Sequence, residues 1–416
     1  MTTNRKTNKT FVIVGASLAG AKAAEKLRER GFDGRVLLIG SEAERPYERP
    51  PLSKDHLRGE SEREKVFVHA PGFYEQHQIE LLVETTVTAI DPAGGQVALA
   101  DGSAIPFDRL LLATGAEPRR LRIPGAELDG IHYLRSLADC DAIQARMQEG
   151  GHVAIVGAGW IGSEVAASAR QCGLAVTLID PLSLPNERIF GREIGGFYRD
   201  LHSQHGVELV LGESVESFEG QQSISRIRTA SGKAIECDFA VVGVGVSPRV
   251  ELAQAAGLEL DNGIAVDPTL RTSAENVFAA GDVASAWHPF YGCRIRVEHW
   301  ANALNQGPAA ASAMLDQDVS YERIPYFFSD QYEVGMEYSG YATDWDEVVF
   351  RGERESGEFI AFWLKDGAVV AGMNVNVWDV NEHVQALIRS RQAVDSDALR
   401  DPATPLGSLL GEPARS

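Results

Sequence analysis

The sequence predicts an α/β protein with two Rossmann-like dinucleotide-binding domains and a C-terminal α+β domain. Two observations support this: a βαβ pattern with a glycine-rich turn occurs twice, and an aromatic-rich segment of alternating polarity begins near Pro325. The 416 residues are enough for roughly two to four domains of about 100–200 residues each. We expect the first domain to be discontinuous, at 10–117 and 250–324, the second at 118–249 and the third at 325–416.

The repeated pattern has the same four parts in each copy. Residues 11–42 begin with the apolar run FVIV, continue through a glycine-rich turn and an amphipathic helix, and end in a second apolar run. Residues 153–181 repeat this order, beginning with VAIV. An apolar run, a helical pattern and a second apolar run indicate two parallel strands joined by a helix. Two copies therefore predict two nucleotide-binding domains.

The segments that follow each copy also resemble one another. Residues 81–90 are predicted to form one strand, 96–100 the next, and 108–115 a buried strand that ends in a turn. The same order recurs over 207–249, so each half is expected to add a small antiparallel layer and a closing strand. Residues 277–285 predict another short buried strand with a Gly-Asp end.

The third domain is predicted from strand-like segments near the end of the chain. The segments EVVFRG, FIAFWLKDG and AVVAGMNV alternate in polarity and are separated by turn residues, which predicts adjacent antiparallel strands. Residues 380–392 predict one helix. The first ten residues are expected to be a short disordered tail, and residues 401–416 an irregular one.

Charge and composition exclude several functions. The chain has 39 Lys and Arg against 59 Asp and Glu, a formal net charge of −20, which should repel nucleic acids and anionic membranes. The apolar run at 239–246 is far shorter than the roughly 20 residues that span a bilayer. The polar N-terminus lacks the apolar part of a secretory signal. Four widely spaced cysteines, without a CxxC pair, predict reduced thiols in a cytoplasmic protein and no metal site.

The first glycine turn comprises residues 15–20. Gly15 allows a tight turn, Gly20 lets the helix pack on the strand, and the N–H groups at the helix start are expected to face a pyrophosphate. Ser17 occupies the position of the usual middle glycine, so its side chain either points away from the phosphate or hydrogen-bonds to it. Ser41 or Glu42, after the second strand, is the candidate for a ribose contact.

The second glycine turn comprises residues 157–162 and contains all three glycines of the pattern. Asp180 ends the next predicted strand, where a carboxylate accepts hydrogen bonds from a ribose 2′-hydroxyl and repels a 2′-phosphate. This predicts NADH rather than NADPH. The alternative for Asp180 is a solvated carboxylate at a strand end.

The order of five motifs resembles that of a known superfamily. The first glycine turn, LLLATGAEPR, the second glycine turn, VVGVGVSPR and VFAAGDVA follow one another as in the glutathione-reductase-like flavoproteins with two dinucleotide-binding domains. Residues 45–54, 133–139, 297–307 and 325–340 match one group more closely, the FAD-dependent ferredoxin reductases of oxygenase systems. This resemblance covers roughly residues 10–400. It implies FAD as cofactor, NADH as electron donor, and a small iron–sulfur ferredoxin that serves a Rieske dioxygenase or a haem monooxygenase.

The glycine turns and the resemblance together define the predicted cofactor-binding residues. The resemblance implies that Asp282 binds the flavin ribitol and that His299 borders the ring. The full set is Gly15, Ser17, Ala19, Gly20, Ser41, Glu42, Arg49, Lys54, Val87, Ala113, Thr114, Gly115, Arg135, Gly157, Gly159, Trp160, Ile161, Gly162, Asp180, Gly245, Gly281, Asp282, His299 and Trp300.

Lys54 and Glu164 are the predicted catalytic residues. The resemblance places them, on separate domains, among the charges near the flavin N5 and the nicotinamide. Alternatively, Lys54 is a surface lysine whose aliphatic stem is partly buried. The alternative for Glu164 is an acidic residue stabilised by its position near a helix N-terminus. Trp160 either shields the nicotinamide pocket or belongs to the core.

Three other functions fit the sequence less well. A disulfide reductase or an NADH oxidase would use a cysteine near the flavin, and no cysteine precedes Cys140. A non-enzymatic relative of apoptosis-inducing factor would bind nucleic acid through a basic surface, which the net charge disfavours.

Ferredoxins of this type are usually acidic, so docking on an acidic chain requires a local basic patch. The candidates are Arg294, Arg296, Arg323 and Arg351. The aromatic residues Tyr326, Phe327, Phe328 and Trp363 are expected to lie mainly in the core of the third domain.

Overall fold

A computed structural model describes residues 8–410 of the chain. Within these residues the chain divides into two compact units. The first contains the chain up to Arg49, then 62–117 and 246–323, and the second contains 50–61, 118–245 and the chain from Ile324. Residues 50–61 thus group with the second unit, whereas the sequence placed them in the first predicted domain. The three-domain division itself remains a prediction. Of the two predicted tails, residues 1–7 and 411–416 lie outside the described residues, whereas Thr10, the last residue of the predicted N-terminal tail, begins a strand.

The first unit is built on a parallel sheet. Its first strand is nearly all apolar, as expected for a strand covered on both faces, and Phe11, Val12 and Ile13 are fully buried. In spatial order the strands are Val277–Ala279, Arg109–Leu112, Thr10–Val14, Arg35–Ile39 and Ile79–Leu82. The helices are Leu18–Glu29, Phe73–Gln76, Glu251–Ala255 and Trp300–Met314, with a 3-10 turn at Arg63–Val66.

Two small three-stranded sheets, one antiparallel and one mixed, complete this unit. One consists of Val87–Asp91, Gln96–Leu99 and Ala104–Pro106, and the other of Ile264–Val266, Ala284–His288 and Cys293–Ile295, in which the first two strands are parallel. The prediction of one strand at 81–90 is wrong, because Ile79–Leu82 and Val87–Asp91 belong to different sheets. The chain breaks at Glu84, where φ is +48°, a left-handed conformation that a regular strand does not contain.

The second unit contains the repeat of this architecture. Its parallel strands, in spatial order, are Glu208–Leu211, Ala175–Asp180, His152–Val156, Phe239–Val242 and Ile131–His132. The antiparallel layer consists of Val215–Gly220, Ile224–Thr229 and Ala234–Glu236, so the predicted duplication of the antiparallel layer is confirmed. The helices of this part are Leu137–Glu149, Trp160–Gln171, Glu187–Phe190 and Arg192–Gln204, with a 3-10 turn at Pro50–Ser53. The short strands Ala116–Pro118 and Val246–Pro248 lie where the chain leaves one unit for the other.

An antiparallel sheet near the C-terminus also belongs to the second unit. In spatial order its strands are Tyr326–Gln331, Val334–Gly340, Ala368–Val375, Glu358–Lys365 and Glu347–Glu353, which confirms that the three predicted segments are neighbours. The helix predicted at 380–392 runs over Asn381–Ser390, and Ser396–Arg400 follows it. Further 3-10 turns lie at Arg354–Ser356 and Leu406–Leu409, and Leu406 is buried, so the tail predicted from residue 401 is partly packed.

The aromatic residues of this sheet mostly form core, as expected. Trp363 is fully buried, and its indole N–H donates to the carbonyl of Phe190 at 3.2 Å. Phe327 is buried, and Phe328 and Tyr326 are half-buried.

Candidate functional site

The first glycine turn is closed by backbone packed against backbone. Gly15 has φ of +119°, and a Cβ atom there would lie 2.0 Å from the carbonyl oxygen of Ala113. A Cβ atom on Gly20 would lie 2.0 Å from the oxygen of Gly15. Ser17 occupies the N-cap of the helix Leu18–Glu29, and within the described residues its side chain makes no capping bond. The first helical N–H groups are therefore left without a side-chain cap, as an anion site at a helix N-terminus requires.

Close packing also surrounds Ala19 and Gly281. The helix Leu18–Glu29 packs against Trp300–Met314 so tightly that a Cβ atom on Gly307 would lie 2.2 Å from the oxygen of Ala19. Gly281 has φ of +80°, and its N–H donates to the side-chain oxygen of Gln306 at 2.9 Å. The turn that precedes Asp282 is thus held by a buried amide, a contact that the sequence did not indicate.

Four of the predicted FAD residues form one charged cluster in the first unit. Glu42 accepts a hydrogen bond from the Tyr47 hydroxyl and pairs with Arg49 at 3.3 Å. Burial acts to lower the pKa of Arg49, but its interactions with Tyr47, Glu42 and Asp282 outweigh this effect and raise it. The Asp282 charge also acts on His299. Glu42 is therefore held by protein groups, while Ser41 is exposed.

His299 and Trp300 mark the start of the helix Trp300–Met314. His299 is its N-cap residue, and burial lowers the pKa of His299 to about 4 although the charge of Asp282 opposes this shift. The imidazole is therefore neutral at pH 7. Burial raises the pKa of Glu48, although a hydrogen bond from Trp300 and the charge of Lys22 both act to lower it.

The remaining predicted FAD residues lie in ordinary structural positions. Ala113 donates its N–H to the oxygen of Val14, and Thr114 donates its hydroxyl to the oxygen of Arg249 at 2.8 Å. Gly115 has φ of +70°, and Val87 begins an antiparallel strand and packs on the core of the first unit. Arg135 lies in the second unit, where its N–H donates to the carboxylate of Asp139.

The second glycine turn repeats the backbone packing of the first. Gly157 has φ of +104°, and a Cβ atom there would lie 2.3 Å from the oxygen of Gly243. A Cβ atom on Gly162 would lie 1.8 Å from the oxygen of Gly157. At Gly159, in contrast, no atom of the described residues lies within 4 Å of the Cβ position. The turn is therefore closely packed at Gly157 and Gly162 but open at Gly159. This opening fits the approach of a pyrophosphate.

Asp180 holds this turn in place. One carboxylate oxygen accepts the N–H of Ala158 at 2.6 Å, and the other accepts the N–H of Leu182 at 2.7 Å. The oxygen of Ala158 accepts the N–H of Asn186 at 3.0 Å. The interpretation of Asp180 as a merely solvated carboxylate therefore fails, and each oxygen keeps a further lone pair for a ligand hydroxyl.

Trp160 belongs at least partly to the core. Its ring packs edge-on against Phe190, Tyr198 and Phe327, with centroids 4.9, 5.9 and 5.0 Å away. It remains half-buried, and within residues 8–410 its indole nitrogen has no hydrogen-bond partner. Ile161 is 44% exposed, and Gly245 has φ of +94°.

Lys54 and Glu164 form a buried ion pair. The Lys54 ammonium lies 2.8 Å from one oxygen of Glu164, and the two side chains are 12% and 5% exposed. Both residues belong to the second compact unit, whereas the prediction placed them on separate domains. The surface interpretation of Lys54 is also wrong, because the ammonium lies against Glu164 and 5.6 Å from the centre of the Phe328 ring.

The two hydroxyl groups that bind this ion pair were not predicted from the sequence. Ser53 donates to the Lys54-bound oxygen of Glu164 at 2.5 Å, and Ser329 donates to the other oxygen at 2.7 Å. Both serines lie within segments, RPYERPPLSK and PYFFSDQYEVGMEYSG, that carried the resemblance, but nothing in the local pattern distinguishes a buried serine from a solvated one. Burial raises the pKa of Asp330, next to Ser329, and the charge of Lys54 opposes this shift.

Three of the predicted docking arginines are used within the fold. The Arg296 side chain is 7% exposed and pairs with Glu298, so its prediction as a docking residue is wrong. Arg294 donates to the oxygens of Val266 and Ser285, and Arg351 donates to backbone carbonyls including that of Thr404. Arg323 is exposed, and among residues 8–410 its side chain has no ion-pair partner.

The cysteine thiols form no disulfide within the described residues. The buried Cys140 donates its thiol to the oxygen of Leu52 at 3.3 Å. Among residues 8–410, no group of three or more His, Cys, Asp or Glu is arranged to hold a metal ion. Nor does that part of the chain contain a helix with the length and apolar composition needed to cross a membrane.

Comparison with known proteins gives consistent matches along the chain. Residues 9–307 match the family model "Pyridine nucleotide-disulphide oxidoreductase", and residues 326–410 match "Reductase C-terminal". The ferredoxin–NAD(+) reductase component of the anthranilate 1,2-dioxygenase system of Burkholderia cepacia is 38% identical over 96% of this chain and 99% of its own length. Rhodocoxin reductase of Rhodococcus erythropolis is 38% identical over 88% of this chain and 86% of its own.

A solved structure has the same fold over nearly the whole chain. The crystal structure of a covalent putidaredoxin reductase–putidaredoxin complex contains a chain that superposes with a TM-score of 0.93 and 34% identity. The superposition covers 97% of this chain and 98% of that one.

Proposed function

Because this chain belongs to the pyridine nucleotide-disulphide oxidoreductase family and, within it, to the ferredoxin reductases of oxygenase systems, we propose that it passes electrons from NADH through FAD to a small 2Fe–2S ferredoxin. The observation that carries this proposal is the presence of two backbone-closed glycine turns, at Gly15 and Gly157, in a chain with a buried Lys54–Glu164 pair. The ferredoxin would in turn supply an oxygenase.

We propose that the first unit holds FAD. Its pyrophosphate would meet the uncapped N–H groups after Ser17, and Asp282 would accept hydroxyls of the ribitol, with Arg49 compensating its charge. When bound, FAD supplies the conversion from two-electron hydride acceptance to one-electron donation that neither NADH nor an iron–sulfur protein provides alone. The neutral His299 would add no charge to this site.

We propose that the second glycine turn and Asp180 hold NADH. The open space above Gly159 would admit the pyrophosphate, and the fixed carboxylate of Asp180 would face the ribose of the adenosine. Lys54 and Glu164 form an ion pair at 2.8 Å in a buried position, so the pair brings no net charge into this part of the protein. On this proposal, Lys54 orients the reacting groups electrostatically.

The decisive test compares electron acceptors. The purified FAD-loaded protein should reduce a 2Fe–2S ferredoxin with NADH much faster than it consumes oxygen. Oxygen consumption at the same rate as NADH oxidation, with no ferredoxin reduction, would indicate an NADH oxidase instead. The buried position of Cys140 speaks against that alternative and against a disulfide reductase. We further propose a cytoplasmic location, supported by the unpaired cysteines.

We expect NADH to be preferred over NADPH. A 2′-phosphate would meet the charge of Asp180, whose carboxylate cannot turn away without releasing the N–H groups of Ala158 and Leu182. The expected ratio of kcat/KM values is about ten-fold or more in favour of NADH, where ten-fold corresponds to about 1.4 kcal/mol. Equal values for the two nucleotides would mean that Asp180 does not face the ribose.

Ferredoxin reduction should fall as ionic strength rises. Two acidic proteins need a local basic contact, and the Debye length shortens to about 8 Å at 0.15 M salt. Of the four candidate arginines, Arg323 has an exposed side chain free of ion pairs within residues 8–410. Charge reversal by Arg323→Glu should weaken ferredoxin turnover and leave flavin reduction by NADH unchanged. A flat salt profile together with an unaffected variant would contradict electrostatic docking.

A further inference from the structure

We propose that Ser53 and Ser329 are positioning residues that hold the Glu164 carboxylate, and through it the Lys54 ammonium, in one fixed arrangement. The proposal rests on the function proposed above, because it assigns these serines a part in the NADH-dependent step. The Ser53 hydroxyl and the Lys54 ammonium, from adjacent residues, approach Glu164 at 2.5 and 2.8 Å, and the Ser329 hydroxyl approaches it from a second chain segment at 2.7 Å. Neither serine contacts a reacting group on this proposal.

The backbone of Ser53 is held by a second buried serine. Ser53 is 2% exposed and lies in the 3-10 turn Pro50–Ser53, directly before Lys54. Its carbonyl oxygen accepts the hydroxyl of Ser168 at 2.7 Å. Since Ser168 lies one helical turn after Glu164, one face of the helix Trp160–Gln171 holds both the backbone and the side chain of Ser53.

The Ser329 hydroxyl has its direction determined by Gln331. The side-chain N–H of Gln331 donates to the Ser329 oxygen at 3.3 Å, so the single hydroxyl proton of Ser329 is available for Glu164. Both residues belong to the strand Tyr326–Gln331 and are 1% exposed. Water therefore cannot replace this hydroxyl if it is removed.

The two serines have different effects on the carboxylate. Ser53 and Lys54 bind the same oxygen of Glu164, whereas Ser329 binds the other oxygen. The terminal torsion of a glutamate is broad and is not fixed by its own rotamer preference. A carboxylate held at one oxygen can therefore rotate, whereas one held at both oxygens cannot. Without Ser329, the second oxygen would be buried with no donor among the described residues, which is unfavourable for a charged group.

The test is a double-mutant cycle with a matched control. Ser329→Ala and Ser53→Ala are each made alone and in a Glu164→Gln background, which keeps the shape of the side chain but removes its charge. Ser339→Ala is the control, because Ser339 is also 1% exposed and lies in the neighbouring strand of the same sheet, but donates to the neutral Asn381. The measurements are urea unfolding of the FAD-loaded protein, the NADH dissociation constant, and the limiting rate of flavin reduction.

We expect Ser329→Ala to lower the limiting rate of flavin reduction by about ten-fold, the equivalent of 1.36 kcal/mol, and to leave the NADH dissociation constant within about two-fold. Ser53→Ala should act in the same direction. Most of the loss in rate and in unfolding midpoint should disappear in the Glu164→Gln background, because the charge to be held is gone. Ser339→Ala should leave the rate unchanged.

The proposal would be overturned if each serine substitution lowered the limiting rate of flavin reduction and the unfolding midpoint equally in the Glu164→Gln background and in the otherwise unchanged protein. Such additive effects would mean that the serines do not act through the Glu164 charge. Serine variants with an unchanged limiting rate would also overturn the proposal. The unfolding cycle requires no ferredoxin and no turnover. A coupled cycle in a protein that fails to reduce ferredoxin would therefore refute the proposed function while leaving the hydroxyl contacts to Glu164 established.

Discussion

Replacing Glu164 by alanine should slow NADH-dependent flavin reduction by about 100-fold, the usual effect of removing one preorganised electrostatic group from an active site. It should also lower the free energy of unfolding by about 3–5 kcal/mol, because the Lys54 ammonium would remain buried without its partner. Rapid mixing of the FAD-loaded protein with NADH measures the first effect, and urea unfolding the second. Lys54→Met should also slow reduction, although Glu164 would keep its two serine donors.

A neighbouring residue provides the control. Ser163 is fully buried on the same helix, and within the described residues its hydroxyl has no hydrogen-bond partner. Ser163→Ala therefore removes a buried polar group without breaking a hydrogen bond. The free energy of unfolding of this variant should be unchanged or slightly higher. Unchanged reduction rates in both Lys54→Met and Glu164→Ala would exclude this pair from the active site.

The substitution Gly15→Ala should abolish the retention of FAD during purification. The new Cβ atom would lie 2.0 Å from the oxygen of Ala113, at φ of +119°, so the turn must open and its N–H groups must move. The left-handed conformation alone costs about 1–2 kcal/mol for a residue with a Cβ atom, and the clash adds to it. The ratio of flavin to protein absorbance in the purified variant measures the loss.

Gly31→Ala separates the clash from the backbone strain. Gly31 follows the same helix, has φ of +78°, and no atom of the described residues lies within 4 Å of its Cβ position. This variant should lose about 1 kcal/mol of stability and keep its FAD. Full FAD content in Gly15→Ala would show that the first glycine turn does not form the pyrophosphate site.

Local patterns were sufficient to predict the architecture. The apolar runs FVIV and VAIV, each followed by a glycine turn, predicted the two parallel sheets, and the alternating segments after residue 346 predicted adjacent antiparallel strands. The strand predicted at 81–90 was wrong because apolar periodicity continues through Glu84, whereas the backbone reverses there. A change of sheet depends on pairing with distant strands, and a short window of sequence does not contain that information.

The candidate site was predicted in part. Lys54 and Glu164 were identified by resemblance, but their ion pair across more than 100 residues of sequence, and the serines that complete it, depend on the packing of three chain segments. The docking arginines show the same limit, because Arg296 and Arg323 look equivalent in sequence. One side chain is nevertheless buried against Glu298, and the other is exposed.

The sequence by itself determined the two βαβ units and the glycine turns, because these depend on residue spacings within a few tens of positions, and its resemblance to a known family implied the cofactors. Only the tertiary structure decided which unit contains residues 50–61, which carboxylate oxygen meets which hydroxyl, and which arginines remain exposed. The physical reason is that backbone conformation and apolar periodicity are local, whereas the partner of a buried polar group is chosen by whichever distant segment packs against it.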